Sequence, residues 1–122
     1  MSAVPKKISG TLQVAKIIAE LASDKKAEDI LLLDMRKQVN FCDYFVICSA
    51  LTDRQVRAIA DGIEEGLAKH NIKVSHRQGL EQSTWIVLDL GDIIIHVLQT
   101  RLREFYMLEN LWRDAKKISW GK

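Results

Sequence analysis

The sequence predicts a single α+β domain in which a mixed sheet packs against helices. Its length of 122 residues corresponds to one domain. Its composition, 48% hydrophobic and 28% charged, is typical of a globular chain with its own core. Segments with helical and strand-like apolar spacing follow in the order helix, strand, strand, helix, strand, strand, helix. We therefore expect a folded domain over residues 10–118, with a flexible tail at 1–9 and a short tail at 119–122.

The first half of the chain contains two predicted helices and two predicted strands. From Thr11 to about residue 26, apolar residues recur at the spacing of an amphipathic helix. The unbroken apolar runs at 30–33 and 44–48 predict strands, the first of them buried on both faces. Thr52 and Gln55 form a capping-box pattern that predicts the start of a second helix, and Asn71 suits its left-handed end.

The second half predicts a hairpin followed by a helix. Residues 79–83 are expected to form a loop, and 85–88 and 93–98 to form strands. Gly and Asp residues at 89–92 suit the tight turn between these strands. Thr100 is expected to cap the last helix, with a break near Tyr106. Because side chains alternate along a strand, Ile94 and His96 should share one face of the sheet.

Charge and motif content argue against several classes of function. A net charge of +2 is too small to predict a protein that binds free nucleic acid. No apolar run approaches the roughly 18 residues of a membrane span, and we expect a cytoplasmic protein. Cys42 and Cys48 are expected to be reduced and have no patterned His partner. The sequence contains no glycine-rich phosphate loop, and we expect no cofactor and no metal.

Three interpretations compete for the polar residues around the predicted hairpin. Asp89, Asp92 and His96 could hold a metal ion or relay a proton. They could instead be structural, as turn-capping aspartates and a buried, hydrogen-bonded histidine. They could also belong to a recognition surface, since Trp, Tyr, Arg and His are the residue types that anchor protein interfaces.

Four collinear blocks resemble one known family, the Iojap-type ribosomal silencing factors. The blocks are D-Y-F-V-I at 43–47, R-Q-V-R-A-I-A-D at 54–61, a G…W…D-x-G-D…H series at 79–96, and R-x-F-Y-x-L-E-x-L-W-x-D-A at 103–115. Together they extend over most of residues 11–115. The chain departs from the family pattern at Ala50, Gln78 and Leu98.

The resemblance implies a nucleotidyltransferase-like core without the catalytic carboxylates, and a protein that is not an enzyme. It implies binding to the large ribosomal subunit through its L-fourteen-type protein. Such binding would block association with the small subunit and repress translation under nutrient limitation. An alternative function, of an enzyme in place of a binding protein, is that of a metal-dependent nucleotidyltransferase-like enzyme that uses Asp43, Asp89 or Asp92. A homodimer and proximity to ribosomal RNA are further expectations.

We expect the partner to bind the last hairpin and the neighbouring helix. Apolar residues there would supply contact area, Tyr106 would act as an amphipathic anchor, and the polar residues Asp89, Asp92, His96 and Arg103 would fix the register. The predicted partner-binding residues are Trp85, Leu88, Asp89, Asp92, Ile94, His96, Leu98, Arg103 and Tyr106.

Overall fold

A computed structural model describes residues 10–106, 110 and 112–121, and for residues 105 and 106 the backbone alone. The described residues form one mixed α+β domain, which confirms the predicted class. Its elements are α1 Thr11–Asp24, β1 Glu28–Asp34, β2 Tyr44–Ala50, α2 Asp53–Ala68, β3 His76–Gln78, β4 Trp85–Asp89, β5 Ile93–Gln99, α3 Thr100–Tyr106 and β6 Lys116–Lys117.

The strands form a six-stranded sheet in the order β3-β4-β5-β2-β1-β6. β2 and β5 pair in parallel at the centre, and all other neighbours are antiparallel. The hairpin of β4 and β5 therefore lies between the short edge strand β3 and the central strand β2.

Helices α1 and α2 cover one face of the sheet and form the larger core. Val46, Ile86 and Ile95 point from the sheet into this core, where they meet Ile18 of α1 and Ile63 of α2. Each of these side chains is essentially inaccessible to water. Burial of one such side chain contributes about 1.5–3 kcal/mol, so this layer supplies much of the rigidity of the sheet.

The opposite face of the sheet carries a smaller core over β1 and β2. Phe45, Ile47 and Leu98 are buried there with Ala115 from the C-terminal segment. The ring of Trp112 meets the ring of Phe45 edge to face, with centroids 5.3 Å apart. This cover reaches Leu98 at the end of β5, whereas Trp85 and Ile94 at its margin stay partly exposed.

Local signals predicted most element ends correctly. The Gln55 amide donates to Thr52 Oγ1 at 3.1 Å, which confirms the Thr52 cap of α2. Asn71 has a φ of 62°, the left-handed conformation expected after this helix. The predicted cap at Thr100 is wrong: β5 runs directly into α3, so Thr100 is already helical. Within the described part of the chain its buried hydroxyl has no hydrogen-bond partner.

Candidate partner-binding face

The hairpin of β4 and β5 presents a row of partly exposed side chains on the sheet face opposite α1 and α2. Val87 pairs directly with His96, and Asp89 with Ile94, so each pair shares that face. Strand β3 extends the row, because His76 pairs with Asp89 and Gln78 with Val87. We call this surface the open face. It consists of Trp85, Val87, Asp89, Ile94 and His96, together with the exposed His76 and Gln78.

The turn at the end of the hairpin is held by Asp89. Its Oδ1 accepts a hydrogen bond from the Gly91 amide at 2.7 Å, and the Leu90 amide donates to the Ile93 carbonyl at 2.9 Å. Gly91 has a φ of 94°, a conformation that side chains with a Cβ rarely adopt. The structural interpretation of Asp89, as a turn-capping aspartate, is therefore confirmed.

Trp85 and His96 are joined by a hydrogen bond at the inner end of the open face. The indole Nε1 of Trp85 donates to Nδ1 of His96 at 3.2 Å, and the imidazole also meets the Phe45 ring at a centroid distance of 4.9 Å. Because an indole N–H can only donate, Nδ1 must be unprotonated and the proton of the neutral ring lies on Nε2. Burial lowers the pKa of His96 to about 4, so the ring is neutral at physiological pH.

Three of the predicted partner-binding residues are buried, so the prediction that they lie on a contact surface is wrong. Leu88 is 0% exposed, because it is an odd number of positions from Trp85 and therefore points to the helix side. Leu98 lies on the same face as His96 but is covered by the smaller core. Arg103 is 3% exposed and donates from Nη1 to Ser49 Oγ at 3.2 Å.

The remaining predictions divide between the open face and its surroundings. Trp85, Asp89, Ile94 and His96 come together on the open face. Asp92 is exposed but borders a groove beside α1 on the helix side, which Val14 and Lys73 also line. The side chain of Tyr106 lies outside the described residues.

Three residues of the open face were not predicted from the sequence. Val87 could have been found, because it alternates with Trp85 and Asp89 along one strand. His76 and Gln78 belong to β3, a strand of three polar, exposed residues that carries no hydrophobic pattern. His76 and Gln78 are placed on the open face by the pairing of β3 with β4, and a single sequence does not show which strands pair.

Neither cysteine is in an environment that activates a thiol. Burial raises the pKa of the Cys48 thiol to about 12 and that of Cys42 to about 11, which keeps both protonated and weakly nucleophilic. In residues 10–106, 110 and 112–121, no three His, Cys, Asp or Glu side chains are grouped as they would be to hold a metal ion. Over the same ranges, every helix is too short or too polar to cross a bilayer.

These features define a class of small α+β proteins built on one mixed sheet, with helices over one face and a partly exposed hairpin on the other. The model of the family described as "ribosomal silencing factor during starvation" matches residues 9–122. The chain belongs to this family, which confirms the resemblance drawn from its four sequence blocks.

Relatives agree with this assignment, and two solved structures share the fold. The ribosomal silencing factor RsfS of Bacillus subtilis is 42% identical over 102 residues, 84% of this chain and 86% of its own. The chloroplastic protein Iojap of Zea mays is 32% identical over 107 residues, which cover 88% of this chain and 46% of that longer protein. A crystal structure of a Chromobacterium violaceum protein superposes with a TM-score of 0.82 at 26% identity, covering 93% of both chains. One from Bacillus halodurans reaches 0.74 at 33% identity, covering 88% of this chain and 95% of the other.

Proposed function

We propose that this ribosomal silencing factor binds the L-fourteen-type protein of the large ribosomal subunit through its open face. Bound there, it blocks association with the small subunit and represses translation in the cytoplasm when nutrients are limited. Family membership supports a role on the ribosome. The choice of the open face as the binding surface rests on one observation: it is a rigid and partly apolar surface of the sheet.

The open face has the physical properties of an interface centre. Trp85 and Ile94 offer apolar area, and Trp is among the residues most often found to dominate binding energy. The hydrogen bond from Trp85 to His96 and the hairpin turn fix these side chains before binding, so little conformational entropy is lost when a partner docks. Because His96 is neutral, the contact removes no imidazolium charge from water.

The proposed mechanism is exclusion by volume. A chain of this length folds into a body with a radius of gyration of about 14 Å, and such a body on the joining surface prevents a second large surface from approaching. Inhibition then depends on how tightly and where the protein binds. No bond is made or broken.

The alternative, a nucleotidyltransferase-like enzyme, has less support. We propose that the sheet and its helices are related to a nucleotidyltransferase core whose catalytic carboxylates are missing. In such enzymes a Gly-Ser turn approaches the nucleotide, and Ser49-Ala50 occupies the corresponding position here. Ser49 is 0% exposed, and its hydroxyl donates to the Glu28 carbonyl at 3.2 Å and accepts from Arg103. Stoichiometric heat on titration with nucleotide and magnesium would favour the enzyme.

Replacing Val87 with glutamate tests the assignment of the surface. Val87 lies in the middle of the open face, between Gln78 and His96, and a carboxylate there would be desolvated when a partner docks. We expect affinity for the isolated L-fourteen-type protein to fall about 30-fold, or about 2 kcal/mol, when measured by calorimetry.

The matched control is Ala58→Glu, which adds the same charge at an exposed position of α2. This variant should bind as the wild type does, and both variants should keep the wild-type melting temperature. Sedimentation equilibrium of the wild type and of Val87→Glu shows whether the free protein forms a homodimer and whether the substitution on the open face weakens it. Equal affinity of both variants, with both folded, would remove the open face from the proposal.

A further inference from the structure

A basic surface lies at the opposite edge of the sheet from β3. It is formed by the turn after β1 and by the segment around β6, and all of its cationic side chains are exposed. We call it the basic edge, and its members are Arg36, Lys37, Arg113, Lys116 and Lys117.

Two parts of the chain that are far apart in sequence build this surface together. β6 pairs with β1, placing Lys116 opposite Asp34 and Lys117 opposite Leu33. The Gln38 side chain donates to the Asp114 carbonyl at 3.4 Å, across 76 positions of sequence. The basic residues are therefore gathered by the fold and held on a sheet edge.

The charge of the basic edge is only partly neutralised within the protein. Arg36 forms an ion pair with Asp34 at 2.7 Å, and this hydrogen-bonded pair holds the pKa of Asp34 at about 2. Among the described residues, Lys37, Arg113, Lys116 and Lys117 form no ion pair.

Basic residues outnumber acidic ones at this edge. The turn after β1 and the segment around β6 also contain three carboxylates, Asp34, Asp43 and Asp114, so the five basic residues leave an excess of two positive charges. The entire chain has a net charge of +2, so basic and acidic residues cancel over the remainder. A mildly charged sequence thus produces a locally basic surface.

An aromatic side chain accompanies these cations. Phe41 is 59% exposed and lines a shallow groove together with Arg36 and Lys37. Exposed aromatic rings beside cationic side chains are a common means of contacting RNA, because the cations bind phosphates and the ring stacks on a base or sugar.

We propose that the basic edge binds the phosphate backbone of ribosomal RNA beside the protein contacted by the open face. This inference rests on the proposed function and extends it from a protein contact to a composite one. β6 lies three strands from β5, or about 14 Å at the usual strand spacing, so both surfaces can engage neighbouring parts of one subunit. The open face selects the site, and the basic edge adds affinity that depends on salt.

The test compares two triple variants that remove the same charge. Lys37→Gln, Arg113→Gln and Lys117→Gln neutralise the basic edge. The control carries Arg54→Gln, Lys69→Gln and Lys73→Gln, all at exposed positions on the helix side. Binding of each full-length variant to purified large subunits is measured over a series of KCl concentrations, and binding to the isolated L-fourteen-type protein is measured in parallel.

We expect the basic-edge variant to lose about tenfold or more in affinity for large subunits at low salt. The slope of log affinity against log salt should become shallower by about 2, because each lost RNA phosphate contact accounts for somewhat less than one unit. Its affinity for the isolated protein should stay at the wild-type value, and the control should match the wild type in both assays.

Two results would overturn the inference while leaving the proposed function in place. One is an unchanged affinity and salt slope of the basic-edge variant on large subunits. The other is an equal loss on the isolated L-fourteen-type protein, which would make the basic edge a protein contact. Failure of the wild-type protein to bind large subunits at all would instead overturn the proposed function, and the RNA contact with it.

Discussion

Replacing Gly79 with alanine is expected to destabilise the protein by about 3 kcal/mol and to displace the open face. Gly79 has a φ of 84°, and a Cβ at this position would lie 2.0 Å from the carbonyl oxygen of Trp85. The obstructing atom belongs to the backbone of β4, so relief requires the strand itself to move. A left-handed alanine costs about 1–2 kcal/mol, and overpacking adds about 1–3 kcal/mol.

Gly91→Ala is the matched control for this prediction. Gly91 has a similar φ of 94°, but in the part of the chain that the structure describes no atom beyond its two neighbouring residues lies within 4 Å of the position its Cβ would take. Chemical denaturation should therefore show a loss of only about 1–2 kcal/mol, the conformational cost alone. Equal losses for the two variants would show that close contact between Gly79 and Trp85 does not constrain the hairpin.

Acidification is expected to destabilise the protein through His96. The pKa of this imidazole is about 4 in the folded state, below its ordinary value of about 6.5, because burial disfavours its charged form. Between these values the unfolded chain binds more protons than the folded one. The stabilising effect of a neutral His96 is present above about pH 6.5 and is lost as the pH falls towards 4, amounting to about 3 kcal/mol in total.

The variant His96→Gln isolates this contribution. A glutamine side-chain oxygen can still accept the hydrogen bond from Trp85, but it does not titrate. The free energy of unfolding, measured by urea denaturation from pH 7.5 to 4.5, should decline less steeply for His96→Gln than for the wild type. His70→Gln, at an exposed position after α2, should retain the wild-type decline. Parallel curves for the wild type and His96→Gln would contradict a buried, neutral His96.

Much of the fold follows from periodic signals in the sequence. The helical spacing in α1 and α2, the apolar runs of β1 and β2, and the turn at Gly91 all depend on local physical chemistry. β3 and β6 were not predicted, because they are short, polar edge strands of three and two residues. Such strands are specified by the neighbour they pair with, and their own sequence carries no alternation.

The candidate site was predictable only in part, for two different reasons. Side chains alternate between the two faces of the sheet along β4, and Trp85 and Leu88 are three positions apart. They therefore lie on opposite faces, so the prediction that both contact one partner surface was already inconsistent with strand periodicity. Leu98 is two positions from His96 on β5, so it lies on the same side of the sheet as the open face. It is buried because residues near Ala115 return to cover this part of the sheet. Which half of a sheet face is covered depends on tertiary packing, which no local pattern encodes.

Sucrose-gradient sedimentation with purified ribosomal subunits shows whether the protein binds the large subunit and keeps the two subunits apart. Wild-type protein is added to large subunits before small subunits, and the gradient is analysed for joined ribosomes and for the position of the protein. Comigration with the large subunit and a smaller joined-ribosome peak are predicted, with both effects weakened by Val87→Glu. An undiminished joined-ribosome peak, with the protein left at the top of the gradient, would show that the protein does not act by binding the large subunit.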